Sequence, residues 1–116
     1  MTETTVFVTT HFTGFHHWPE APEEVAFLRN RHRHVFGVKV EVQTDHSDRD
    51  VEFFILKKSV DDSIQNVVLP TLEEQPSRSC EMMAHQLYHL LQNLGYIVKS
   101  VEVNEDGENG AVVKKL

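Results

Sequence analysis

Alternation of apolar and polar residues marks residues 31–42 as a β-strand. Successive side chains of a strand point to opposite faces of the sheet, so residues two apart share a face. One face of this strand carries two histidines followed by an apolar series: His32, His34, Phe36, Val38, Val40 and Val42. A buried imidazole needs a partner, and two that point the same way indicate a shared one, such as a metal ion. The alternative is a pair of solvated histidines at the end of a strand.

Other segments with a period of two predict the rest of a sheet. Residues 4–12 are rich in β-branched and aromatic side chains, and residues 97–103 and 111–115 alternate near the C-terminus. The glycine and two prolines of residues 13–22 indicate a loop, followed by a short helical turn over residues 22–28. Turn chemistry at residues 45–48 predicts that residues 51–53 pair back as a hairpin.

From Phe54 the apolar residues recur every three to four positions, which is typical of a helix. The first amphipathic segment is expected to end before Pro70, because proline ends or kinks a helix. A second helix is predicted over residues 79–94, with Gly95 at its C-terminal stop. Antiparallel hairpins and two consecutive helices predict one α+β domain, residues 1–116, with the helices on one face of the sheet.

Composition narrows the function classes. A net charge of −7 argues against nucleic acid and against an anionic membrane surface as partners. No apolar run approaches the roughly 20 residues that span a bilayer, and the N-terminus lacks the pattern of a secretory signal. The single cysteine, Cys80, has no internal disulfide partner and favours a reducing, cytoplasmic location. Eight histidines are an unusually large number for 116 residues.

Of the six remaining histidines, His46 lies in the predicted turn at residues 45–48, and the other five fall into three groups. His11 ends the first predicted strand. His16 and His17 lie in the predicted loop, where a neutral imidazole could transfer a proton near pH 7 or simply face solvent. His85 and His89 are one turn apart on the second helix, opposite its leucine face, where solvated side chains are a simpler interpretation than a metal site.

Five short motifs occur in a consistent order along nearly the whole chain. They are Thr9-Thr10-His11, His32-Arg33-His34, Glu52-Phe53-Phe54-Ile55-Leu56-Lys57, Ser79-Cys80-Glu81-Met82-Met83-Ala84 and Val103-Asn104-Glu105-Asp106. In this order they resemble the motifs of the 6-pyruvoyl-tetrahydropterin and 6-carboxytetrahydropterin synthase family. The resemblance implies the tunnelling fold (T-fold), a four-stranded antiparallel sheet with two consecutive helices on one face. It also implies a homo-oligomer, a trimer or hexamer, in which subunits close into a barrel.

The resemblance further implies that His11, His32 and His34 bind one zinc ion. Three neutral imidazoles leave tetrahedral zinc one open position, which is the arrangement of a catalytic site. Such an ion can act as a Lewis acid on a substrate oxygen. The alternative is a set of histidines in a scaffold that no longer binds metal.

Glu105 is the implied anchor of a pterin or purine-like base, because a carboxylate accepts two parallel hydrogen bonds from a ring N–H and its amine. Ser79, Cys80 and Glu81 are implied to add contacts from the start of the second helix. The simpler alternatives are a solvated turn residue for Glu105, a small buried apolar residue for Cys80 and a first-turn acid for Glu81.

The sequence departs from the family at its catalytic residues. Leu28 stands where the synthases have a catalytic cysteine, and residues 69–76 lack the family's Asp-His pair. No catalytic residue is therefore assigned. The leading hypothesis is a zinc-dependent carbon–oxygen lyase acting on a small dihydroneopterin-type substrate, and the second is a T-fold protein that binds a pterin, purine or nucleotide without turnover. A scaffold with no ligand would leave the histidines unexplained.

Overall fold

The protein, described here from a computed structural model of residues Met1–Leu116, is built on a four-stranded antiparallel sheet. The strands follow one another in chain order as β1 (Thr5–His16), β2 (His32–Gln43), β3 (Val98–Glu105) and β4 (Asn109–Lys114). The helices are α1 (Phe53–Ser63), α2 (Leu69–Glu74) and α3 (Cys80–Asn93), with a π-helical turn at Ile64–Val68 and a 3₁₀ helix at Glu23–Arg29. The predicted α+β class is confirmed.

The core lies between one face of the sheet and the helices. Along β2, alternate residues from Phe36 to Val42 are buried, whereas Lys39 on the other face is exposed. These residues join apolar side chains of α1 and α3, among them Leu56 and Leu87, in one cluster. Burying a side chain of this size contributes about 1.5–3 kcal/mol, so the cluster fixes the register of the sheet and therefore the position of the histidines.

Strand β1 continues four residues beyond its predicted end at Phe12. Gly14, which indicated a loop, lies inside the strand and opposite His34. A Cβ atom on Gly14 would lie 2.9 Å from Leu72 Cδ2, so glycine is present because α2 packs closely against the strand. The predicted loop over residues 13–16 is therefore wrong, and the strand ends at His16.

The predicted hairpin at residues 51–53 is also wrong. Glu52 caps the N-terminus of α1, and its carboxylate accepts hydrogen bonds from the backbone N–H groups of Phe54 and Ile55. Since α1 begins at Phe53, the residues that suggested a strand lie at a helix start. A side-chain cap satisfies N–H groups that have no partner within the helix.

The first predicted helix does not end before Pro70. In the π-helical turn, Leu69 N–H donates to the carbonyl of Ile64, five residues back. Pro70 has no backbone N–H to donate, and the wider turn before it accommodates this loss. The helical path therefore does not stop at Pro70, and α2 continues to Glu74. The second predicted helix is confirmed as α3, where Ser79 Oγ accepts a hydrogen bond from Met82 N–H.

Candidate metal centre and adjoining pocket

Three histidines converge at the end of the sheet where β1 meets β2. His16 pairs directly with His32, and Gly14 pairs with His34, so the three imidazoles share the helix-facing side. One ring nitrogen of each histidine lies within 4.8 Å of those of the other two. His16 is only 7% exposed. The arrangement is a compact set of three potential metal donors.

His11 does not belong to this set. It lies opposite Gly37 in the sheet, shares the face of the exposed Phe7, and is itself exposed. His11 and His16 are five positions apart, and an odd spacing places two side chains on opposite faces of the same strand. Of the predicted set, the structure brings His32 and His34 together and leaves His11 apart, and His16 lies in the place expected for the third imidazole. The signal for His16 was its parity with Val8 and Phe12, which becomes meaningful only if the strand runs past Gly14.

Each imidazole is oriented by a hydrogen bond at Nδ1. The three acceptors are Arg78 O at 3.1 Å from His16, Asn30 O at 2.8 Å from His32 and Asp106 Oδ2 at 2.7 Å from His34. Carbonyl and carboxylate oxygens only accept, so Nδ1 carries the proton and Nε2 presents a lone pair. The Nε2 atoms of His32 and His34 are buried and have no hydrogen-bond partner. Two unpartnered buried lone pairs facing one point fit a metal ion.

The charge states around the site agree with this donor set. Burial lowers the pKa of the His16 imidazole, while the Arg78 carbonyl and Glu105 partly offset that effect. The hydrogen bond from His34, followed by that from Val35 N–H, lowers the pKa of the Asp106 carboxyl. A neutral imidazole on His16 and an ionised carboxylate behind His34 are what a zinc ligand and its supporting acceptor require.

A pocket of about 470 Å³ adjoins two of the three imidazoles, those of His16 and His32. This volume falls within the range of small-molecule sites. The predicted substrate-binding residues, Ser79, Cys80, Glu81 and Glu105, all line it, together with His16 and His32. The structure thus brings together residues from the first two strands, the start of α3 and the end of β3.

Glu105 points at the imidazoles. Its Oε2 lies 3.0 Å from His16 Nε2 and 3.7 Å from His34 Nε2, while Oε1 accepts a hydrogen bond from Asn109 Nδ2 at 3.0 Å. The carboxylate is therefore held between an amide on one side and the histidines on the other. Glu105 therefore lies closer to the three histidines than it would need to if its role were only to bind the base of a ligand.

The pocket wall contains no activated thiol. Cys80 is buried, and burial, followed by the charges of Glu105 and Glu81, raises the pKa of its thiol to about 12. Leu28 lines the pocket at the position where the resemblance leads one to expect a catalytic cysteine. His17, half-buried beside the metal donors, is the additional imidazole of the pocket wall.

Comparison with known proteins identifies the fold. No protein-family profile and no curated protein matches the sequence. Among solved structures, an uncharacterized protein from Wolinella succinogenes shares the fold with a TM-score of 0.77 at 16% identity, and the match covers 100% of both chains. The 6-pyruvoyl tetrahydropterin synthase of Caenorhabditis elegans matches with a TM-score of 0.66 at 17% identity over 100% of this chain and 98% of that chain.

These matches define the class as an α+β protein with the fold of a 6-pyruvoyl tetrahydropterin synthase. The predicted T-fold is confirmed over the whole chain. No helix of the protein combines the length and the apolar character needed to cross a membrane.

Proposed function

We propose that this chain is a divergent member of the 6-pyruvoyl-tetrahydropterin synthase family that binds one zinc ion through His16, His32 and His34. The observation that carries the proposal is the set of three imidazoles with occupied Nδ1 atoms and converging Nε2 atoms. When bound, zinc supplies a Lewis acid for a substrate oxygen. Three protein nitrogens and an oxygen-containing substrate make up its usual four ligands.

The ligand we propose for the adjoining pocket is a pterin or purine-like ring of the dihydroneopterin type. Ser79, Cys80, Glu81 and Glu105 supply hydroxyl, thiol and carboxylate groups along its wall. Carboxylates recognise such rings because they accept parallel hydrogen bonds from a ring N–H and its exocyclic amine. With this substrate the protein acts as a carbon–oxygen lyase, and His17 is our candidate proton carrier because it lines the pocket without belonging to the three donors.

A second candidate is a binding protein that holds the same ring without converting it. The specific observations in its favour are Leu28 at the position expected for a catalytic cysteine and the high pKa of Cys80. Positioned acid–base groups contribute about 10²–10⁴-fold to a reaction, and a Lewis acid alone does not replace them. This candidate retains the zinc site and the pocket.

Incubation of the zinc-loaded protein with dihydroneopterin triphosphate, followed by mass spectrometry of the mixture, separates the two candidates. A lyase converts the substrate, and a His17→Gln variant that still binds zinc loses at least about 10²-fold in rate. Binding without conversion supports the second candidate and rules out the lyase. A protein that neither binds nor converts this substrate would contradict the pterin assignment. The metal site is then tested separately by the zinc content of the protein.

A further inference from the structure

One oxygen of the Glu105 carboxylate, Oε2, occupies an unusual position, because it faces imidazole nitrogens that carry lone pairs and not hydrogen-bond donors. His16 Nδ1 donates to the Arg78 carbonyl, so in a neutral ring Nε2 has no proton to offer Glu105 Oε2 at 3.0 Å. A carboxylate oxygen and a nitrogen lone pair repel each other at this distance unless a cation lies between them.

The distances around Glu105 match a shared metal ion. Zinc binds nitrogen and carboxylate oxygen at about 2.0–2.2 Å, so neighbouring ligand atoms of a tetrahedral ion lie roughly 3.3–3.5 Å apart. Glu105 Oε2 lies 3.0 Å from His16 Nε2 and 3.7 Å from His34 Nε2, on either side of that value. The oxygen therefore lies at about the ligand-to-ligand distance from two of the three imidazoles, those of His16 and His34.

The carboxylate is also held in this orientation by its own support. Asn109 Nδ2 donates to Oε1 at 3.0 Å, which leaves Oε2 as the oxygen that faces the imidazoles. Glu105 is the last residue of β3 and pairs with Phe36 of β2, so the sheet itself delivers it to the histidine side. Ligating carboxylates characteristically have such a hydrogen bond on the second oxygen.

We infer that Glu105 is the fourth ligand of the metal in the ligand-free protein, so that the resting site is closed by three histidines and a carboxylate. This inference rests on the proposed zinc site and adds a step to it. If a substrate oxygen took its place on the metal, the Glu105 carboxylate would become available to the substrate's own N–H groups.

Cobalt(II) in place of zinc and azide as a probe test the inference without measuring activity. In the wild-type protein the four protein ligands leave no exchangeable position, so azide changes the visible cobalt spectrum only at high concentration. In Glu105→Ala an exchangeable position opens, and azide binds at least about 10-fold more tightly, while zinc affinity falls at least about 10-fold. Glu81→Ala removes a carboxylate of the same pocket and is expected to leave both quantities near wild type.

Glu105→Gln serves as the second variant, since it keeps the shape of the side chain and its folding can be verified by circular dichroism. It is expected to behave like Glu105→Ala, because an amide oxygen is a weaker ligand than a carboxylate. Equal azide binding in wild type and both variants, with unchanged zinc affinity, would overturn the inference and leave the three-histidine site intact. A wild-type protein that binds neither zinc nor cobalt would instead overturn the proposed function itself.

Discussion

At the residue scale, the proposed metal centre depends on the acceptors behind the imidazoles as much as on the imidazoles. Asp106 accepts from both His34 Nδ1 and Val35 N–H, and thereby fixes the ring and the strand end together. It has a positive φ of 56°, a conformation that asparagine and glycine tolerate well. The turn after β3 is therefore part of the site.

Replacing Asp106 with glycine should weaken zinc binding by about 10–100-fold, the usual effect of losing an outer acceptor. Asp106→Asn is the control, because its one side-chain oxygen can still accept from His34, although the hydrogen bond from Val35 N–H is then lost. Competition with a chromophoric chelator measures both affinities. Equal affinities for the two variants would show that the acceptor does not orient His34.

Cys80 is expected to be unreactive in the folded protein. With a pKa of about 12, its thiolate fraction at pH 8 falls about 10³-fold below that of a free cysteine. Alkylation by iodoacetamide should therefore be slower in native protein than in protein unfolded by urea, by roughly 10²–10³-fold. Rapid native labelling would contradict the burial of the thiol and reopen its assignment as a nucleophile.

At the element scale, the sequence predicts those helices and strands whose extent depends on neighbouring residues. The alternation of β2 and the cap and leucine face of α3 follow from neighbouring residues, and both elements were predicted correctly. The extent of β1 depends on Leu72, which packs on Gly14 from a distant part of the chain. No local pattern reports that contact, so the sequence predicts a strand that ends at Phe12 and places His16 in a loop.

The start of α1 provides a direct stability test. Glu52→Ala removes the acceptor for two backbone N–H groups and should lower the free energy of unfolding by about 1 kcal/mol. Glu73→Ala is a control, because Glu73 is exposed and makes no side-chain hydrogen bond. Urea denaturation at a fixed protein concentration measures both changes. A Glu52→Ala variant as stable as the control would contradict the cap.

At the scale of the whole molecule, the sheet has two free edges. β1 is paired only with β2, and β4 only with β3. The solvent-facing side also exposes large apolar residues, including Phe7, Phe15 and Val112. Exposed edges and apolar surface of this kind are commonly covered by other chains, which agrees with the homo-oligomer expected from the sequence.

We therefore expect light scattering coupled to gel filtration to show a trimer or a hexamer. Closure of the sheet into a ring pairs β1 of one subunit with β4 of the next and removes the free edges. The measurement should be repeated across a dilution series, because association depends on concentration. A monomer at all concentrations would contradict this expectation and leave the pocket of a single chain as the complete site.

The central claim is that His16, and not His11, completes the metal site with His32 and His34. The most direct measurement is the zinc content of purified wild type, His16→Ala and His11→Ala, each dialysed against the same zinc buffer and confirmed to be folded by circular dichroism. We expect one zinc per chain in wild type and His11→Ala, and a loss of most of the metal in His16→Ala. Zinc retained by His16→Ala but lost from His11→Ala would contradict it.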